Sequence, residues 1–217
     1  MTSVHLIDAL LAELDNGLRI LAAPAEAARP SPASRATGHP GATEPTLSAE
    51  ERALGAALMR VNHAGEVAAQ ALYRGQALTT RDRALRKTLL DAAREEHDHL
   101  AWCEQRVHDL GSRTSLFGPL WYAGSFALGA AAGLLGKATG LGFVVETERQ
   151  VEEHLSGHLD RLPARDLPSR AIVQQMRTDE VAHGTLARDL GGADLPEPLR
   201  AGMRLVGRIM TTVAHRL

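Results

Sequence analysis

Apolar residues at Val4, Leu6, Ile7, Leu10, Leu11, Leu14, Leu18 and Ile20 recur at near-helical spacing with acids between them, and predict an amphipathic helix over residues 1–22. The pattern then lapses. Residues 23–47 are rich in Pro, Ala, Ser, Thr and Gly and offer too little apolar surface to order themselves, so a flexible linker is predicted. Helical periodicity returns at residue 48 and continues to the end, marking 48–217 as the folded domain.

Within that domain, Ser48 followed three residues later by Glu51 is a capping box and predicts a helix running to about Thr79. A second helix should span 82–110 and end at Gly111. The third covers 119–160, with a break expected near Gly140 and Gly142, and stops before Pro163. The fourth starts near Pro168 and ends at Gly191 and Gly192. Residues 199–216 set Arg200, Arg204, Arg208 and Arg216 among Leu, Val, Ile and Met, which predicts a C-terminal amphipathic helix. Four long helices with short connections bury their apolar stripes most simply as an all-α four-helix bundle, with the first and last helices as additions.

Composition narrows the function. Aromatics at 3% favour helices, and a net charge of −2 gives no basic excess, so no nucleic-acid partner is expected. The single cysteine, Cys103, leaves no internal disulfide and no Cys-based zinc or iron–sulfur site. Asp8, Glu13, Asp15 and Arg19 interrupt the N-terminal apolar pattern, so no secretory signal is predicted and cytoplasmic residence is expected.

The chemistry lies on the four bundle helices. Glu96 and His99 sit three residues apart on the second, and Glu180 and His183 on the fourth; at 3.6 residues per turn each pair shares a face and can grip one metal. Glu66 and Glu148 are inward candidates on the first and third. One Glu from each of two helices plus a Glu-x-x-His from each of the other two is the inventory of a ferritin-like di-metal site. Glu66 precedes Glu96 by 30 residues and Glu148 precedes Glu180 by 32, an echo that suggests two similar helix pairs. Four carboxylates and two imidazoles without thiolate suit a pair of Fe or Mn ions better than structural zinc.

Nearby groups have candidate supporting roles. Asp179 can accept a hydrogen bond from a ligand His and fix its tautomer, and Glu95 holds the matching place before Glu96. His154, six residues after Glu148, is expected to line the pocket near the metals, whereas His63, His97 and His158 read as surface or structural residues. From Leu116 to Val145 the only charge is Lys137. Its seven glycines argue against a spanning helix, and an apolar helix and turn lying in a membrane surface, at the mouth of an apolar tunnel, are expected instead. Packing through small residues is the alternative.

Together these segments resemble the demethoxyubiquinone hydroxylases. The resemblance rests on Arg60-Val61-Asn62-His63-Ala64-Gly65-Glu66, Tyr73-Arg74-Gly75-Gln76, Glu96-His97-Asp98-His99-Leu100, Pro119-Leu120-Trp121, Phe126 to Ala130, Leu135-Gly136-Lys137, Glu148 with His154, and Asp179-Glu180-Val181-Ala182-His183. It covers roughly residues 48–217 and implies insertion of one oxygen atom from O2 into a polyprenyl benzoquinol ring of the demethoxyubiquinol type. It further implies two Fe ions as a di-iron centre on Glu66, Glu96, His99, Glu148, Glu180 and His183, with Glu96 and Glu180 as bridges. A peripheral location on the cytoplasmic side of the cell membrane is implied too, with a homo-oligomer and other ubiquinone-biosynthesis proteins as candidate partners. Some relatives carry Tyr where this chain has Leu155, so a role for that Tyr does not transfer. The competing readings are another ferritin-like di-metal protein, such as an RNA hydroxylase, a peroxidase or an iron store, and a non-catalytic membrane-associated quinone carrier.

Overall fold

The computed structural model describes residues 3–36 and 46–217. Among them it contains eight helices and no strand: α1 (Ser3–Ala22), α2 (Ala33–Ala36), α3 (Ala49–Thr79), α4 (Arg83–Asp109), α5 (Gly118–Leu134), α6 (Lys137–Arg161), α7 (Leu167–Asp189) and α8 (Glu197–Arg216). Residues 37–45 of the expected linker, and the side chains of Val4 and Leu6, lie outside the described set.

Helix ends follow local chemistry. The Ser48 hydroxyl accepts the Glu51 N–H while the Glu51 carboxylate accepts the Ser48 N–H, so two otherwise orphaned donors are satisfied reciprocally. Asp82 and Asp166 cap α4 and α7 by accepting from the N–H groups of Leu85 and Ser169.

The expected third helix is two elements, and the break falls earlier than Gly140. It lies at Leu135–Gly136, where Gly136 adopts φ +89°, a conformation that other residues rarely tolerate. Gly140 and Gly142 instead sit inside α6 as contact points. A Cβ on the first would strike the Gln76 side chain, and on the second the Ala193 carbonyl oxygen. Gln76 donates from Nε2 to the Gly140 carbonyl at 2.7 Å, tying α3 to α6.

The bundle proper is α3, α4, α6 and α7, and its interior is layered. One apolar layer joins Leu58, Met59, Trp102, Cys103, Leu155 and Met176. The other joins Leu72, Tyr73, Leu89, Ala93, Val144 and Ala187. On every bundle helix the Glu or Glu/His group falls between a residue of the first layer and one of the second. The charged groups therefore occupy one cross-section of the bundle, shut off from water above and below.

Helix α5 lies outside this core, along α3. It approaches through glycine: a Cβ on Gly129 would collide with the Leu72 carbonyl oxygen, and one on Gly75 with that of Phe126. Thr79 Oγ1 donates to the Ala130 carbonyl at 2.8 Å. Half of the apolar run after Leu116 is thus intramolecular packing surface. The other half, with Leu116, Phe117, Leu120, Leu128, Leu134 and Leu135, faces outward. No helix among the described residues is long and apolar enough to cross a membrane.

Helix α1 sits on α3 and α5, where Arg74 grips Glu13 through two bonds of 2.7 and 3.2 Å and Ile20 packs with Val67, Ala71, Leu100 and Tyr122. The stretch after it departs from expectation, because part of the predicted linker is held in place. The N–H groups of Ala25 and Ala28 donate to Glu104 at 2.9 Å and to Asp98 at 2.6 Å. Its own side chains bury little, so carboxylates on α4 supply the anchorage that composition could not reveal. At the other end, α8 buries Ala214 against Val61 and Ala64 of α3.

Candidate metal centre

Each imidazole of the two Glu-x-x-His pairs turns one nitrogen to a set of three carboxylates. His99 Nδ1 lies 3.0 Å from Glu96 Oε2, 3.4 Å from Glu180 Oε1 and 3.8 Å from Glu66 Oε2. His183 Nδ1 lies 3.3 Å from Glu96 Oε1, 3.5 Å from Glu180 Oε2 and 3.9 Å from Glu148 Oε1. Two groups result, Glu66/Glu96/His99/Glu180 and Glu96/Glu148/Glu180/His183, and in each the ligand atoms lie within 4.8 Å of one another. Glu96 and Glu180 belong to both.

The other ring nitrogens are held from outside. His99 Nε2 lies 2.9 Å from Asp179 Oδ2, and His183 Nε2 lies 3.0 Å from Glu95 Oε2. An ionised carboxylate only accepts, so Nε2 carries the proton in both rings, and displacing the Nδ1 proton leaves a lone pair aimed at the cluster. The partnership is crossed: the acid before Glu180 on α7 holds the histidine of α4, and the acid before Glu96 on α4 holds the histidine of α7.

Electrostatics match a site built for positive charge. Burial first, and then the neighbouring carboxylates, push Glu66 and Glu148 well above the usual carboxylate range. Burial works against the ionised form of Glu96 too, but the His183 and His99 imidazoles beside it outweigh that and hold its carboxyl low. Burial alone would lower the His183 imidazole; the neighbouring Glu180, Glu96 and Glu148 carboxylates push it up to about 12. Protons on the two histidines thus supply the counter-charge that cations otherwise would.

His154 is elsewhere. Its ring packs on His158 with centroids 3.9 Å apart, and both line a cleft of about 320 Å³ with Val61, Arg161 and His215. Position 154 is six residues from Glu148, a step of 600° around the helix, which turns it to another face. The expectation that it lines the pocket near the carboxylates is corrected accordingly. His63 and His158 are buried structural residues.

Two residues with no assigned role in the sequence reading touch the site. Tyr73, fully buried, donates its hydroxyl to Glu148 Oε1. It stands seven residues after Glu66, two turns along the same face, and that spacing was the available signal. Arg29 reaches Asp179 at 3.0 Å from a stretch with no periodicity at all, so no local pattern could have found it.

Comparison with known proteins agrees with this arrangement. Residues 53–214 match the family model described as ubiquinone biosynthesis protein COQ7. A protein of Ralstonia pickettii named 3-demethoxyubiquinol 3-hydroxylase is 55% identical, covering 98% of this chain and 100% of its own. Proteins of the same name from Cupriavidus necator and Chromobacterium violaceum are 56% and 52% identical, covering 97% and 98% of this chain and 100% of theirs. Among solved structures, a dodecameric thioferritin, the bacterioferritin-related protein of Bacteroides fragilis, superposes with a TM-score of 0.52 at 18% identity, covering 66% of this chain and 86% of that one. That likeness shows the ferritin-like fold alone. By the family match and the full-length relatives, this chain belongs to the COQ7 family of ubiquinone biosynthesis and is an oxidoreductase of the hydroxylase kind.

Proposed function

We propose that the protein hydroxylates the ring of a demethoxyubiquinol-type polyprenyl benzoquinol with O2, using two iron ions held by Glu66, Glu96, His99, Glu148, Glu180 and His183. The observation that carries this reading is the pair of overlapping ligand groups sharing Glu96 and Glu180. The names of the full-length relatives supply the substrate.

The residues fit the metal pair. Glu96 Oε1, Glu180 Oε2 and His183 Nδ1 are buried without a well-formed hydrogen bond, an arrangement that costs free energy unless a cation completes it. That argues against a carrier whose Glu and His merely bond to one another. Four carboxylates and two imidazoles are the donor set that two irons take in ferritin-like bundles.

When bound, an iron pair supplies the redox equivalents and open coordination positions for O2 activation. The chain supplies the rest. Asp179 and Glu95 hold the imidazoles by Nε2, and Tyr73 orients Glu148. The apolar layers around Met59 and Met176 on one side, and Leu72 and Leu89 on the other, exclude water that would quench a strong oxidant.

A membrane-dissolved substrate suits the outer surface. Exposed leucines of α5, Leu205, Val206 and Ile209 of α8, and Leu10, Leu11, Leu14 and Leu18 of α1 form unusually apolar faces. These helices adjoin: Gly17 of α1 rests on Tyr122 of α5, and Leu116 N lies 3.5 Å from Leu217 O. Arg208 adds positive charge beside the apolar face of α8, while Arg200 and Arg204 are paired with Glu197, and such a charge favours an anionic membrane surface. We place the protein on the cytoplasmic face on this basis.

The decisive experiment is quinone profiling of cells lacking the protein. Accumulation of the demethoxy precursor is expected, rescued by the native gene and not by Glu180→Ala. Unchanged quinone pools reject the reaction.

A further inference from the structure

The two halves of the carboxylate–histidine cluster are alike in ligands and unlike in support. On the His183 side the supporting acid, Glu95, has half its side chain in solvent, and no arginine or lysine is bonded to it among the described contacts. On the His99 side both oxygens of Asp179 are committed. Oδ1 accepts from Gln175 Nε2 at 2.8 Å, and Oδ2 accepts from His99 Nε2 at 2.9 Å and from Arg29 Nη1 at 3.0 Å.

Arg29 is itself immobilised. Its Nε donates to Asp98 Oδ2 at 2.7 Å, its carbonyl accepts from Trp102 Nε1 at 3.2 Å, and its guanidinium lies over the Trp102 ring, 4.9 Å from the centroid. Trp102 in turn packs against the His99 ring with centroids 5.4 Å apart. A planar guanidinium can bond two carboxylates from two edges at once, whereas an ammonium presents one point of charge. Arg29 lies outside residues 53–214, the segment matched by the family.

We propose that Arg29 is a positioning residue for the metal centre: it locks Asp179, and through it His99, so that the ion held by Glu66, Glu96, His99 and Glu180 is bound more tightly than its neighbour. The inference rests on the cluster binding two metal ions. Loss of the clamp frees Asp179 to rotate, and His99 Nδ1 then no longer points at one fixed place. Removing a partner of a ligand histidine typically weakens metal binding about 10- to 100-fold.

The test is an anaerobic titration of the full-length, metal-free protein with Co(II), followed by its visible absorption, with thermal unfolding measured alongside. Native protein should bind two ions in distinguishable steps. Arg29→Met, one contact further out than Asp179, should weaken the tighter step by up to about 10-fold and leave the looser one unchanged. Arg29→Lys keeps the charge but cannot span Asp98 and Asp179, so it should recover thermal stability and not affinity. Asp179→Asn should weaken the same step, and the double variant should be no worse than the single ones. A folded Arg29→Met protein with both native affinities, or with both steps weakened equally, overturns the proposal, as does lost stability alone. Native protein that binds no metal sinks the underlying reading instead.

Discussion

Glu95 and His183, 88 positions apart in the chain, meet with Oε2 and Nε2 separated by 3.0 Å. The contact repeats, with the helices exchanged, the 2.9 Å pairing of Asp179 with His99. Each Glu-x-x-His helix therefore carries both a histidine and the acid that orients the other helix's histidine. Glu95→Gln, which keeps the shape but weakens the acceptor, is expected to loosen metal binding about 10-fold, the low end for such partners because Glu95 is half-exposed. Equilibrium dialysis against a chelator measures it; unchanged retention would contradict the role.

Shared ligands predict a graded loss of metal. Glu96→Ala and Glu180→Ala each remove a donor from both groups and should leave the protein without either ion. Glu66→Ala and Glu148→Ala each touch one group and should retain one ion. Elemental analysis of purified variants reads the difference, and a Glu96→Ala protein holding two irons would refute a ligand role for Glu96 in both groups.

Tyr73 stays a phenol at any working pH, because burial and the nearby Glu148, Glu96 and Glu180 push its hydroxyl well above its ordinary range. Tyr73→Phe strips Glu148 of a donor in a place water does not reach. The metal-free protein should lose about 1–3 kcal/mol of stability. The iron-loaded protein should lose less, since a cation also satisfies Glu148. Urea unfolding of both forms checks the ordering.

Gly129 lets α5 touch the backbone of α3. Gly129→Ala forces the helices apart and should destabilise by about 1–3 kcal/mol while helix content is retained. Circular dichroism during thermal unfolding measures both quantities. An unchanged midpoint would mean that α5 is not seated on α3 through this glycine.

Burial, and secondarily His108, depress His63 to about 4 from an ordinary 6.5. A lowered folded-state value means that its contribution is present above pH 6.5 and is lost as pH falls towards 4. On the order of 3 kcal/mol should disappear across that window. His154, also depressed to about 4 by burial, acts in the same direction. His63→Phe should flatten this part of the profile relative to native protein, and parallel profiles would rule the residue out as a source.

Some elements were plain in the chain. Ser48 and Glu51 announced a helix start because both partners of the capping box lie within four residues. Glu96 with His99, and Glu180 with His183, announced a shared face because helical geometry is local. Three features escaped. The break at Gly136 could not be told from Gly140 or Gly142, since all three are glycines in one apolar run and only packing against Gln76 and Ala193 distinguishes them. His154 was assigned to the wrong face by its nearness in sequence to Glu148. Residues 24–36 looked unordered because the carboxylates that hold them, Glu104 and Asp98, are some seventy residues away.

The amino-acid sequence by itself determined most of the long helices, the Ser48–Glu51 cap and the six metal-ligand candidates, because those depend on periodicity and on partners within a turn or two. Tertiary structure alone decided which acid holds which histidine, how far apart the two groups of ligand atoms lie, and that Arg29 reaches the site from outside the bundle. These are distances between helices, and no local pattern encodes where one helix meets another; the packing of the two apolar layers sets them.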